Sequence, residues 1–183
     1  LIFSDSDIRG VRLALYQPDI PQNTGTMMRM AACLGVPLDI IEPCGFILDD
    51  RRLRRAGMDY MDHLEVTRHA SWEKYLSNRT GGETTSAAPG KIVLLTTRGS
   101  IPYLDFAFSP GDTLLMGSES SGVPDSVADA ADARVRIPMR HGLRSLNVAL
   151  AAAMVLGEAL RQTAGNGIAL RMSDQDSAEQ ATD

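Results

Sequence analysis

Short apolar runs of strand length recur along this chain and alternate with stretches of helical pattern. Val11–Tyr16, Leu38–Ile41, Ile92–Thr97, Thr113–Gly117 and Arg134–Ile137 have the length and composition of strands, with Leu64–Thr67 a weaker sixth. Between them Gly25–Leu34, Asp49–Ala56, Ser71–Leu76 and Pro124–Ala130 suit helices, and Ser145–Gln162 closes the pattern. Strands that are apolar throughout must be covered on both sides, and strand–helix alternation supplies that cover. The expected fold class is therefore α/β, a mostly parallel sheet with helices on both faces.

One domain over residues 11–163 accounts for every periodic segment. Residues 1–10 read as an N-terminal extension and 164–183 as a polar, mobile tail. The stretch Thr80–Gly90 (TGGETTSAAPG) lacks apolar periodicity and reads as a surface loop. It is not a domain boundary, because neither side alone has strands enough for a sheet. With 44% hydrophobic and 22% charged residues, the 183-residue chain is ordinary globular material, which excludes wholesale disorder. Cys33 and Cys44 show no metal-ligand spacing, so neither a disulfide framework nor a metal is expected. No run approaches the roughly 18–20 apolar residues of a membrane span, and no secretory leader pattern opens the chain. A soluble, cytoplasmic domain is the expectation.

The last helical segment is apolar almost all round. Leu146, Leu150, Ala153, Leu156 and Leu160 make one stripe, Val148, Ala152, Val155 and Ala159 another, and no charge falls between Asn147 and Gly157. Such a helix needs cover on more than one side. In so small a chain a second copy is the expected cover, which predicts a homodimer with this helix at or near the interface; the alternative buries both stripes within one subunit.

The net charge of −5 argues against a wholly basic nucleic-acid binder. However, residues 173–183 carry four acids and no base, so the rest of the chain is nearly balanced. Sixteen of the 18 basic residues are Arg, the side chain suited to bidentate phosphate contacts. Arg51, Arg52, Arg54 and Arg55 form the densest basic patch, either an RNA-gripping surface or a solvated helix face with Asp49 and Asp50 as dipole partners.

Neither G-x-G-x-x-G after the first strand nor G-x-x-x-x-G-K-[ST] is present, so dinucleotide and P-loop readings lack their main warrant. Polar and glycine residues gather instead after three strands. The first cluster runs from Pro21 to Arg29: Asn23 is placed to cap a helix, and Arg29 is the only charge from Ile20 to Leu38. An Arg on so apolar a helix needs an anion or a route to solvent. The second is Gly117-Ser118-Glu119-Ser120-Ser121-Gly122, where Glu119 is the sole acid between Asp112 and Asp125. The third joins Ile137 to Arg144-Ser145-Leu146-Asn147, with Ser145 expected as N-cap and Asn147 in the first turn. Each cluster alone is explained by capping or turn formation. Together they bring Asn/Arg, Glu and Ser/Asn to the carboxyl edge of one sheet, where open α/β folds bind ligands.

These motifs resemble the SPOUT superfamily of RNA methyltransferases, specifically its TrmH-like 2′-O-ribose group. That group carries N-x-G-x-x-x-R, G-x-E-x-x-G and a Pro-containing strand end followed by S-L-N, here Asn23–Arg29, Gly117–Gly122 and Ile137–Val148. Tyr16–Gly25, Ile40–Pro43 and Asp49–Tyr60 resemble the subgroup that methylates the wobble nucleotide, cytidine or uridine 34, of tRNA.

The resemblance implies a C-terminal deep trefoil knot, S-adenosylmethionine as methyl donor, no metal, and tRNA as partner. It assigns cofactor contacts to Leu95, Thr96, Gly117, Ile137, Ser145 and Leu146. It makes Arg29, Asn23, Glu119, Ser145 and Asn147 the catalytic set. Arg29 would act as base with a substrate phosphate or, since a guanidinium seldom loses its proton, position that phosphate and the ribose. Asn23 would hold the loop or the ribose, and Glu119 would orient Arg29 or a neighbouring amide. RNA would be gripped by Arg29, Arg51, Arg52, Arg54, Arg55 and Arg144. His141 has no counterpart in the motif and reads as loop decoration. Two other readings remain at this stage: methylation at another tRNA position or in ribosomal RNA, and a non-catalytic RNA-binding or cofactor-sensing module.

Overall fold

The computed structural model describes residues 10–48, 64–80 and 90–163. Within these, seven strands form one sheet: β1 (Arg12–Tyr16), β2 (Leu38–Ile41), β3 (Val66–His69), β4 (Ile92–Leu95), β5 (Ile101–Pro102), β6 (Thr113–Met116) and β7 (Ala133–Arg136). Their order is β3-β2-β1-β6-β4-β7-β5, and every neighbouring pair runs parallel. Strands β2 and β6 are buried along their whole length, as mostly apolar runs require, with Asp39 and Thr113 the polar residues they carry inside.

Alternation along each strand sorts the core into two layers. Leu13 and Leu15 join Leu114 and Met116 under α1 (Pro21–Leu34) and α4 (Val148–Thr163). Ala14, Tyr16 and Leu115 face the other way, under α2 (Trp72–Thr80) and α3 (Asp125–Asp129). Helices thus lie on both faces, as expected. The α2 face also holds a buried polar group: Asp39 accepts from Arg12 Nε at 3.0 Å and pairs with His69 Nε2 at 2.8 Å. Burial, with a smaller push from the Asp39 charge, moves the Tyr75 phenol beside it upward against the opposing pull of Arg79 and Thr113.

Several boundaries differ from the sequence reading, each for a local reason. Helix α1 starts at Pro21, because proline's missing N–H and fixed φ suit the first helical turn. Asn23 therefore sits inside the helix and is not its cap. At the other end Gly35 takes a left-handed φ of 63°, and Val36 N–H closes onto Ala31 O at 2.9 Å. Helix α4 starts at Val148, with Asn147 Oδ1 accepting from Ala149 N (2.9 Å) and Leu150 N (3.3 Å). Asn147 is thus the cap assigned to Ser145, since only its carbonyl is placed to meet the free N–H groups of the first turn. Strand β5 was not anticipated, because two residues carry no periodicity.

The expected helix Asp49–Ala56, the Arg51, Arg52, Arg54 and Arg55 patch, most of the 80–90 loop, and the 164–183 tail lie outside the described residues. So does the N-terminal extension up to residue 9. Among the described residues no helix is long and apolar enough to cross a membrane, and no cluster of His, Cys, Asp and Glu is arranged to hold a metal.

Candidate active site

The carboxyl ends of β1, β4, β6 and β7 open into loops that line one cleft of about 570 Å³. An adjoining apolar recess of about 120 Å³ shares Leu95, Thr96, Ser145 and Leu146 with it. All six positions named for the cofactor meet here: Gly117 lines the cleft, Ile137 lines the recess, and the other four line both. Met116, Ile137, Met139 and Ala151 give the recess apolar walls.

The turn after β6 is closed on itself. Ser118 N donates to Gly122 O at 3.0 Å and Gly122 N to Ser118 O at 2.8 Å, with Gly122 at a φ of 70°. A Cβ on Gly117 would lie 2.7 Å from the Gly122 carbonyl carbon, so both ends of the motif need glycine. Within this turn Glu119 Oε2 accepts from Asp19 N at 3.0 Å. The Asp19 carboxylate answers, accepting from Glu119 N at 3.1 Å, Ser120 N at 3.2 Å and the Ser120 hydroxyl. Hydrogen bonds from Glu119, through its amide, and from the Ser120 hydroxyl and amide hold the Asp19 carboxyl down at about 2. Glu119 Oε1 is buried and has no hydrogen-bond partner among the described residues.

The third motif reaches the first through one bond, Asn147 Nδ2 to Asn23 Oδ1 at 2.9 Å. Asn23, Glu119, Ser145 and Asn147 therefore line the same cleft. Arg29 does not line it. Six residues past Asn23, roughly 9 Å along the axis, it is exposed on α1. Arg144 and His141 are exposed in the loop before α4, also away from the cleft lining.

The sequence reading overlooked Asp19, the only acid between Arg12 and Leu38, although its isolation was a signal of the kind used for Arg29 and Glu119. It also overlooked Arg98, a cleft residue set on a tight turn where Gly99 N donates to Thr96 O at 3.0 Å.

The SpoU rRNA Methylase family matches residues 10–157, over four-fifths of the chain. The chain belongs to the SpoU methylase family. A relative from Beijerinckia indica subsp. indica, named tRNA (cytidine(34)-2'-O)-methyltransferase, is 59% identical over 150 residues, which cover 82% of this chain and 90% of that one. A solved structure concerned with 2-OH methylation of C/U34 on tRNA superposes with a TM-score of 0.74 at 39% identity, covering 83% of this chain and 95% of that one. The SpoU methyltransferase AviRb from Streptomyces viridochromogenes, solved with the cofactor AdoMet, gives a TM-score of 0.74 at 26% identity, over 84% of this chain and 58% of that one. The α/β fold and its parallel sheet are thus those of SpoU methylases, and the resemblance drawn from the three motifs holds at the level of the family.

Proposed function

We propose that this SpoU methylase transfers a methyl group from S-adenosylmethionine to the ribose 2′-hydroxyl of the wobble nucleotide, cytidine or uridine 34, of tRNA. The observation that carries the reading is the convergence of Asn23, Gly117, Glu119, Ser145 and Asn147 on one cleft beside an apolar recess. The names of the relatives supply the substrate.

The residues present fit the donor. Adenine is flat and apolar-faced, and the walls formed by Leu95, Met116, Ile137 and Leu146 suit it. The buried Glu119 Oε1 is an acceptor awaiting a donor group. When bound, S-adenosylmethionine supplies a methyl group already activated by its positive sulfur, so no metal is required. What the protein contributes is alignment and a path for the hydroxyl proton. Asn147 ties α1 to α4 and so fixes the two loops between which the ribose would lie. Ser145 adds a hydroxyl where cleft and recess meet.

Arg29 is assigned the grip on the substrate phosphate and ribose. From its exposed place on α1, that role requires either RNA that spans to the cleft or a second copy that brings its own α1 there. A homodimer is part of this reading. Leu146 (43% exposed), Leu150 (61%) and Met154 (43%) form an uncovered apolar strip at the start of α4, where a second copy would bury them. Arg51, Arg52, Arg54 and Arg55 are assigned to phosphate contacts on their sequence clustering, with Arg144 beside the third motif. The knot belongs to the reading as well. Gln162, at the end of α4, accepts from Phe108 N at 2.9 Å and donates to Phe106 O at 3.0 Å, so the chain's last helix is fastened to the 96–112 connection between β4 and β6. That is the contact a threaded C-terminus would make. One domain over 11–163 and a cytoplasmic site of action, where tRNA is found, complete the proposal.

The deciding experiment incubates tRNA with the protein and S-adenosylmethionine and maps 2′-O-methylation by mass spectrometry. Methylation at nucleotide 34 is expected, lost in Arg29→Ala. Methylation confined to another nucleotide, or to ribosomal RNA, overturns the substrate assignment. No transfer to any RNA overturns the enzymatic one.

A further inference from the structure

We propose that Asp19 is a positioning residue for the reaction: its carboxylate clamps the turn after β6 so that Glu119 turns its second oxygen toward a donor group of the ligand in the cleft. This rests on the reading of the cleft as the methyl-transfer site.

Asp19 is held from behind. Gly45 N donates to Pro18 O at 3.0 Å, and a Cβ on Gly45 would come within 2.7 Å of Asp19 Cβ, so the loop after β2 packs directly on its back. In front it meets the turn after β6 through the reciprocal set of bonds described above, across about one hundred residues of chain. The Asp19 amide takes Oε2 of Glu119, and the Asp19 carboxylate takes the two amides that carry Glu119 and Ser120. Both the side chain and the backbone of Glu119 are thereby fixed by one residue. Its Oε1 is left buried, in the cleft lining, without a donor among the described residues.

A buried carboxylate oxygen without a partner is costly, and the cost is relieved when a ligand brings an N–H or O–H to it. Two ligand groups have that chemistry, a hydroxyl of the substrate ribose and the ammonium of S-adenosylmethionine. If the clamp is opened, the carboxylate of Glu119 is free to swing to water, and the ligand loses a fixed acceptor. Asp19 thus acts through Glu119 and touches no ligand itself.

A double-mutant cycle on the whole protein tests this. Asp19→Asn, Glu119→Gln and the pair are compared for kcat/KM on tRNA, for S-adenosylmethionine Kd by calorimetry and for thermal midpoint. Asp19→Asn keeps the amide–Oε2 bond but weakens the charged bonds to the turn, so about a tenfold loss in kcat/KM is expected. The double variant is expected to be no worse than Glu119→Gln alone, because the second change acts on a function already removed. A parallel rise in Kd for both single variants assigns the donor to S-adenosylmethionine. Unchanged Kd with a raised KM for tRNA assigns it to the ribose. Losses that multiply in the double variant overturn the proposal, as does wild-type behaviour of Asp19→Asn. Asp19→Glu, which keeps the charge, replaces Asp19→Asn in the cycle if the latter does not fold. A wild-type protein inactive on all RNA would overturn the functional reading, and the Kd arm of the cycle would still judge the clamp.

Discussion

Asn147 donates its side-chain amide to Asn23 Oδ1 at 2.9 Å, joining residues 124 positions apart. The oxygen of the same amide caps α4 through Ala149 N and Leu150 N. One side chain thus ends a helix and ties it to the first motif.

The two duties are separable. Asn147→Ala removes both, and the cap alone is worth about 1 kcal/mol. Asn147→Asp keeps the acceptor for α4 but has no N–H to offer Asn23. We expect Asn147→Asp to restore the thermal midpoint lost in Asn147→Ala without restoring kcat/KM on tRNA. Equal recovery of both quantities would show that the tie to Asn23 has no part in turnover.

The clamp at Asp19 has a pH signature. Its carboxyl titrates near 2 in the folded protein, below its usual 3.8. A group whose folded pKa is depressed stabilises the fold above the unfolded pKa, and that contribution fades as pH falls through the folded one. The difference in thermal midpoint between wild type and Asp19→Asn should therefore be level above about pH 4–5 and shrink toward pH 2. A difference that stays level down to pH 2 would mean the carboxylate is not held by these bonds.

Asp39 sits between Arg12 and His69 on the α2 face, with 6% of its side chain exposed. Asp39→Ala leaves both partners without their acceptor, and removing one member of a buried charged group costs about 3–5 kcal/mol. Asp39→Asn retains a hydrogen-bonding oxygen and should lose less. Urea denaturation of the two variants measures this, and a loss under about 1 kcal/mol in Asp39→Ala would contradict the stated role of the group.

The apolar strip on α4 predicts self-association. Leu150→Glu places a charge on a position 61% exposed in the single chain, so it should cost little folding stability. If a second copy covers the strip, the buried charge is expensive and the dimer dissociates. Sedimentation should then give a dimer for wild type and a monomer for the variant. The same mass for both proteins would place any interface elsewhere.

How far the sequence could be read follows from what each feature depends on. The strands at Val11–Tyr16 and Thr113–Gly117 were legible because a strand buried on both faces must be mostly apolar, and that is a local property. The glycine turn at 117–122 was legible for the same kind of reason, since no other residue fits where a Cβ would meet backbone at 2.7 Å. Caps were less legible. Asn23 and Ser145 both looked like N-caps, but the choice of cap depends on where the first turn begins, and Pro21 and Asn147 decided that.

Apolar periodicity and turn chemistry, written residue by residue, determined the α/β class, the order of elements and the motifs that show the family. Which side chains meet was decided by the tertiary structure, because a hydrogen bond between Asp19 and Glu119, or between Asn23 and Asn147, depends on strand order and loop packing across a hundred residues or more. The same holds for the leucine stripe of the last helix. Its pattern demanded cover, and packing divided it, sinking Leu156 into the core while leaving Leu150 at the surface. Local sequence sets what a segment must bury, and only the assembled sheet and helices settle against what.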